Sequence, residues 1–134
     1  MNIQLFLTLY ALSVPVFFAI DMVWLGFVAK NFYRAQLGDL LGEVQWVPAI
    51  IFYLVFLVGL TFFATYGAAE KASVSHALIY GALFGFFSYA TYDLTNLATL
   101  RNWPLAVSLV DMAWGAVLGG AVAALTVSVH SWLS

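Results

Sequence analysis

The sequence predicts an all-α membrane protein, a polytopic bundle of four transmembrane helices, and its composition carries most of that prediction. Of its 134 residues, 65% are hydrophobic and only 7% are charged, and the mean hydropathy is +1.02. An ordinary soluble domain has about 25% charged residues, because it needs a polar surface. We therefore expect residues 1–134 to form a single domain inside a lipid bilayer.

Four stretches reach the length of about 20 apolar residues that a helix needs to cross a bilayer. Pro48 and Pro104 stand near the starts of the second and fourth stretches, where a missing backbone N–H costs nothing. The four predicted spans are residues 3–29, 46–67, 74–97 and 104–132.

The basic residues predict the orientation of these spans. Three of the four fall in the connections 30–45 and 98–103, which share one surface, called side A below. The opposite surface carries both termini and holds only Lys71. Since cytoplasmic loops are enriched in Lys and Arg, we expect side A to be cytoplasmic and both termini to lie outside.

The connection 30–45 is itself amphipathic, because apolar and charged residues alternate in it at roughly helical spacing. It fits a short helix lying in the membrane interface. It fits equally well a solvated loop that is anchored by a few apolar side chains.

Three carboxyl groups fall inside the spans and no basic group does: Asp21, Asp93 and Asp111. Counted from the side A ends of their helices at 1.5 Å per residue, all three lie roughly 10–14 Å below that surface. A carboxylate in the bilayer costs about 2.5–3.5 kcal/mol on insertion scales, so such groups face the bundle interior and often mark sites. We expect them to hold protons or a hard cation that oxygen ligands suit.

Polar and aromatic residues accompany the aspartates. Asp21 and Asp111 are each followed three residues later by tryptophan, in DMVW and DMAW, and residues three or four apart share a helix face. Indole, hydroxyl and amide groups are donors that can satisfy a carboxylate. The predicted polar intramembrane layer, offered as a binding site, comprises Asp21, Trp24, Tyr89, Asp93, Asn96, Asp111 and Trp114.

Small residues recur every four positions in the last two spans. Such rows let helix backbones approach closely, so we expect these spans to pack as antiparallel neighbours. The fourth span carries two such rows, which could serve the third span and one other helix, from this chain or a second copy. The rows are Ala77, Gly81 and Gly85, then Gly115, Gly119 and Ala123, and beside them Ala116, Gly120 and Ala124.

Candidate metal ligands are few. Asp21, Asp93 and Asp111 come first, and His76 and His130, near the opposite surface, are weaker candidates. The sequence has no cysteine and no soluble-enzyme motif, and it identifies no cofactor. A net charge of −2 without a basic patch excludes a nucleic-acid binder.

Five segments together resemble a known family: DMVWLG, FYRAQLG, ATYDLTNLATL, NWP and VDMAWG. Over nearly the whole chain, the pattern is similar to a bacterial family of small inner-membrane proteins classed as a domain of unknown function, number 2177. The resemblance implies four helices in a bacterial inner membrane, and it implies no activity. In that membrane, the orientation expected from the basic residues puts both termini in the periplasm. The family's genetic association with fatty-acid-modifying enzymes suggests lipid-related work.

The sequence leaves three functions open. The acidic layer binds or transports a proton, cation or small solute, in which case a homodimer is expected because four helices are few for a conducting path. Alternatively, the protein is an enzyme or accessory factor in fatty acyl modification of membrane lipids, with one aspartate as general base and another as general acid. In the third interpretation it is a non-catalytic subunit of a larger membrane complex, and the aspartates only hold helices together.

Three structural features would separate these functions. A water-accessible cavity that reaches the aspartates favours transport. A lateral opening between helices, lined by phenylalanine, favours lipid chemistry. A dry core with every carboxyl fully bonded favours the structural role.

Overall fold

A computed structural model describes all residues from 1 to 134, and every regular element in it is helical. The helix ends fall within three residues of the predicted spans, and the all-α prediction is confirmed. In chain order the helices are α1 Ile3–Val28, α2 Lys30–Leu37, α3 Trp46–Glu70, α4 Val74–Thr99 and α5 Leu105–Leu133.

Three of the long helices, α1, α3 and α5, are long and apolar enough to cross a membrane. The fourth, α4, has 26 residues, which corresponds to about 39 Å of helix, but it does not belong to this group. Its sequence carries Asp93, Asn96 and several hydroxyl side chains. By composition, therefore, the structure supports three of the four expected spans.

The glycine rows bring α4 and α5 into backbone contact, as the sequence predicts. A Cβ atom on Gly85 would overlap the carbonyl of Gly115, and one on Gly81 would overlap the carbonyl of Gly119. The second row faces the same neighbour, since a Cβ on Gly120 would lie 3.1 Å from the Leu78 carbonyl oxygen of α4. Gly120 of the second row therefore packs against α4 as well, and not against another helix as expected. We call this interface between α4 and α5 the glycine seam.

The core is completed by α1 and the second half of α3. Phe17 of α1 is fully buried and packs its ring 5.9 Å from that of Phe56. Leu57 and Leu60 continue the same buried cluster, together with apolar residues of α5. Tight packing of this kind is what holds helices together in a membrane, where lipid is as apolar as leucine.

The first half of α3 lacks such packing. None of the residues from Trp46 to Val55 is buried, whereas Phe56, Leu57 and Leu60 are enclosed. The side A half of α3 contacts α1 through Tyr53, whose ring lies 5.1 Å from that of Phe17, but it is packed less tightly than the second half. Space is left between this half and the other helices.

The short helix α2 covers this end of the bundle. Its presence agrees with the first of the two interpretations of the connection 30–45, although only its first half is a regular helix. Gly38 ends α2 with a φ of +49°, a conformation that glycine adopts without strain. A single 3₁₀ turn, Gly38–Leu40, and an irregular segment then lead to α3.

Candidate functional site

A cavity of about 1000 Å³ lies beneath α2, between α1, the first half of α3 and the side A halves of α4 and α5. This volume is at the upper end of what small-molecule sites occupy. Its charged wall residues are Asp21, Asp111, Lys30 and Arg34. Aromatic side chains form much of the remaining wall: Trp24, Tyr33, Trp46, Phe52, Tyr53, Tyr89, Tyr92, Trp103 and Trp114.

Asp21 is held by residues from two other helices. Its side chain is buried, and one carboxylate oxygen accepts a hydrogen bond of 3.2 Å from Nε1 of Trp114 on α5. The hydroxyl of Tyr53 on α3 lies beside the same carboxyl. The tryptophan of the second Asp-x-x-Trp motif thus serves the aspartate of the first.

Asp111, the aspartate of the second motif, is linked to Trp24 of the first motif through Tyr33 of α2. The Tyr33 hydroxyl donates to Oδ1 of Asp111 and accepts a hydrogen bond of 3.2 Å from Nε1 of Trp24. Burial, together with the bond to Asp111, holds the pKa of Tyr33 above its usual range. The phenol therefore stays neutral and keeps its proton as a donor to Asp111.

The two Asp-x-x-Trp motifs also contact each other through their tryptophan rings. The indoles of Trp24 and Trp114 stack with centroids 4.3 Å apart and planes inclined by 6°. Trp24 opens the π-helical turn Trp24–Val28 at the end of α1, a local widening that often accompanies functional sites. The stacked pair fixes α1 against α5 at the depth of the two carboxyls.

Asp93 lies behind the cavity wall rather than on it. Its side chain is fully buried next to Asp111, and neither carboxyl oxygen has a hydrogen-bond partner. Ser108 donates to its backbone carbonyl at 2.9 Å and accepts from Nε1 of Trp103 at 3.0 Å. Because an unpaired buried carboxylate is costly, we expect this carboxyl to be neutral.

The predicted polar layer comes together in large part. Tyr89 lines the cavity, close enough to Asp21 and Asp111 to interact with both electrostatically. Asn96 is half-buried beside Tyr92 and does not line the cavity. On the cavity wall the structure unites Asp21, Trp24, Tyr89, Asp111 and Trp114.

The candidate metal ligands do not form a cluster. No group of three or more His, Cys, Asp or Glu side chains in the structure could hold a metal ion. Asp21 is engaged by Trp114, while Asp93 and Asp111 approach each other. His76 stacks on Tyr80 with centroids 4.1 Å apart, and His130 is half-buried near the end of α5.

Among the cavity residues that the sequence did not predict, four carry charged or hydroxyl groups that are important to the site: Lys30, Tyr33, Arg34 and Tyr53. The available signal for the first three was the helical spacing of the connection after α1, which puts them on one turn. Tyr53 gave a weaker signal, as a phenol within an otherwise apolar span. In both cases the sequence did not indicate which way the side chain faces.

The fold and the site together define a helical membrane protein with a polar cavity under one surface. The chain belongs to the DUF2177 family, described as predicted membrane proteins, whose model matches residues 6–128. This match confirms the resemblance seen in the sequence motifs. No curated protein and no solved structure is significantly similar to the chain.

Proposed function

We propose that the protein binds a small organic molecule within the membrane, and that Asp21 and Asp111 hold its cationic or hydrogen-bond-donating group. The observation that carries this proposal is the cavity of about 1000 Å³ that reaches both carboxyls. A single water molecule takes up about 30 Å³ of liquid, so a bare proton or metal ion would not need such a space. A purely structural role would favour carboxyls enclosed in a dry core.

The chemistry of the wall supports a cationic group. Trp24 and Trp114 stack face to face and direct their N–H groups to Tyr33 and Asp21. Further aromatic rings line the wall, and aromatic ring faces attract ammonium groups through their ring electrons. Tyr53 and Tyr89 add hydroxyl groups at the same depth. An amine that entered this region would exchange its water shell for carboxylate oxygens and ring faces.

Four membrane spans form part of the proposal. α4 packs along α5 through the glycine seam, and α5 is itself long and apolar enough to cross a membrane. A helix in backbone contact with a spanning helix shares its depth, which supports α4 as the fourth span. The three basic residues of side A support a cytoplasmic cavity mouth and periplasmic termini in a cell inner membrane.

A second candidate function, lipid modification, is supported by the open side of the cavity. The half of α3 from Trp46 to Val55 has no buried residue, and Phe52, a cavity residue, is 45% exposed. An acyl chain could enter beside Phe52 without crossing water. In that role Asp21 and Asp111, the two carboxyls on the cavity wall, would act as the general acid and the general base. Transport, by contrast, would call for a homodimer or larger complex to complete a path.

Ligand binding can be tested by tryptophan fluorescence, because the stacked indoles lie against both carboxyls. The purified protein in uncharged maltoside detergent is titrated with alkyl and aromatic amines. We expect saturable quenching in the wild type and at least tenfold weaker binding in Asp21→Asn and Asp111→Asn.

The matched control is Asp39→Asn, which removes an exposed carboxylate outside the cavity wall. It should bind the amines as the wild type does. Equal affinity in all four proteins would contradict the proposal, and so would the absence of saturable binding by any compound that carries an amino group.

A further inference from the structure

A pair of basic residues faces the same cavity from α2. Lys30 and Arg34 are four residues apart, so they lie on one face of the helix, and both line the cavity. Tyr33, between them in sequence, also lines it and reaches Asp111. The helix, KNFYRAQL, contains no acidic residue. Its positive charge is therefore presented to the cavity without a carboxylate on the same helix.

The basic pair and the carboxyls occupy different depths. Asp21 lies seven positions before the end of α1 at Val28, which corresponds to a rise of about 10 Å. Lys30 begins α2 just beyond that end. The cavity therefore carries positive charge near the side A surface and negative charge farther into the bundle.

This arrangement does not suit a simple amine best, because a cation coming from side A would meet two positive charges first. Complementary charges at both ends of a site favour a partner with the opposite arrangement. Arginine and lysine together are a common recognition pair for phosphate, the acid group found at headgroup depth in a bilayer.

We infer that the ligand is a zwitterion that combines an ammonium group with a phosphate group. The ammonium group binds at Asp21 and Asp111, and the phosphate binds at Lys30 and Arg34. This inference rests on the proposed function and specifies its ligand. A headgroup of the phosphoethanolamine type has this chemistry, either on a lipid that enters beside Phe52 or as a free molecule from the cytoplasm.

The test compares a whole zwitterion with its halves, in maltoside detergent, by calorimetry and tryptophan fluorescence. The probes are glycerophosphoethanolamine, ethanolamine, glycerol 3-phosphate and a short-chain phosphatidylethanolamine. In the wild type we expect at least one zwitterion to bind at least tenfold more tightly than either half. Preference for the short-chain lipid would identify the bilayer as the source, and equal binding of both zwitterions would identify the headgroup itself.

The variants are Lys30→Gln combined with Arg34→Gln, and as control Lys71→Gln, an exposed basic residue at the opposite surface. The double variant should bind the zwitterion at least tenfold more weakly, whereas Lys71→Gln should match the wild type. Arg34→Lys keeps the charge and should retain most of the affinity. Since Lys30 and Arg34 are exposed, these changes leave the helix core intact.

The results separate the two proposals. If ethanolamine binds as tightly as the zwitterions and the double variant binds like the wild type, the phosphate site is wrong and the amine site stands. If glycerol 3-phosphate alone accounts for the affinity, the zwitterion is equally excluded. If neither amines nor zwitterions bind to the wild type, the proposed function fails as well.

Discussion

The two sides of this bundle are packed in opposite ways. Along the glycine seam, α4 and α5 approach until a single added carbon at Gly81 or Gly85 would overlap a carbonyl of the facing helix. On the other side, α3 has no buried residue from Trp46 to Val55. One pair of helices thus forms a rigid wall, and the opposite helix leaves room for a cavity. The difference indicates that the space is built by divergence of α3, not by loose packing throughout.

The three aspartates within the long helices are also divided between the tightly packed side and the open side. Asp93 belongs to the tightly packed side and is enclosed there without a hydrogen-bond partner. Asp21 and Asp111 face the open side and are held by Trp114 and Tyr33. Burial therefore distinguishes Asp93 from two other aspartates that the sequence predicts at the same depth.

Widening the glycine seam should have the largest effect on stability. Gly85→Leu introduces a side chain where even a Cβ atom overlaps the Gly115 carbonyl, so α4 and α5 must separate. We expect a loss of about 3 kcal/mol or more in the free energy of unfolding, because overpacking at a backbone contact cannot be relieved by rotamer changes. Unfolding by denaturant in detergent measures it. The control is Gly26→Leu, at a glycine with no neighbour within 4 Å, and its free energy of unfolding should stay near that of the wild type. Equal losses in the two variants would refute the difference in packing between the two sides.

Two leucines of α3, three residues apart, should give a smaller but sharper contrast. Leu57 is fully buried and Leu54 is 38% exposed. Leu57→Ala leaves a cavity in the core and should cost about 2 kcal/mol or more, whereas Leu54→Ala should cost about 0.5 kcal/mol or less. Thermal unfolding of both variants in the same detergent compares them. Similar losses would mean that the first half of α3 is packed against the bundle after all.

The smallest expected effect is a difference in chemical accessibility between the cavity side and the tightly packed side of the bundle. Introduced cysteines can report it. The chain has no cysteine of its own, so each label has one site. Ser88 lines the cavity and is half-buried, whereas Ser108 is fully buried beside Asp93. A small water-soluble thiol reagent should modify Ser88→Cys at least tenfold faster than Ser108→Cys. Equal rates, followed by mass spectrometry, would show that water does not enter the cavity preferentially.

Much of the fold could be predicted from residue patterns along the chain. Hydropathy gave the ends of the helices to within three residues, and the small-residue spacing gave the seam between α4 and α5. The site was predicted less completely. Asp21 and Asp111 were identified by their cost in a bilayer, but Tyr33, Lys30 and Arg34 were not, because an amphipathic turn at the surface is compatible with several orientations.

What the sequence determined by itself is the position of each residue along its helix. Hydropathy and a fixed rise of 1.5 Å per residue are local properties, so they predict a membrane environment and a common level for the three aspartates. Only the tertiary structure decided how each helix is rotated about its axis and how closely it packs against its neighbours. Packing turned Trp114 towards Asp21, brought Tyr33 onto Asp111 and left the side A half of α3 without buried residues. These choices depend on contacts between residues far apart in the chain, and no local pattern contains them.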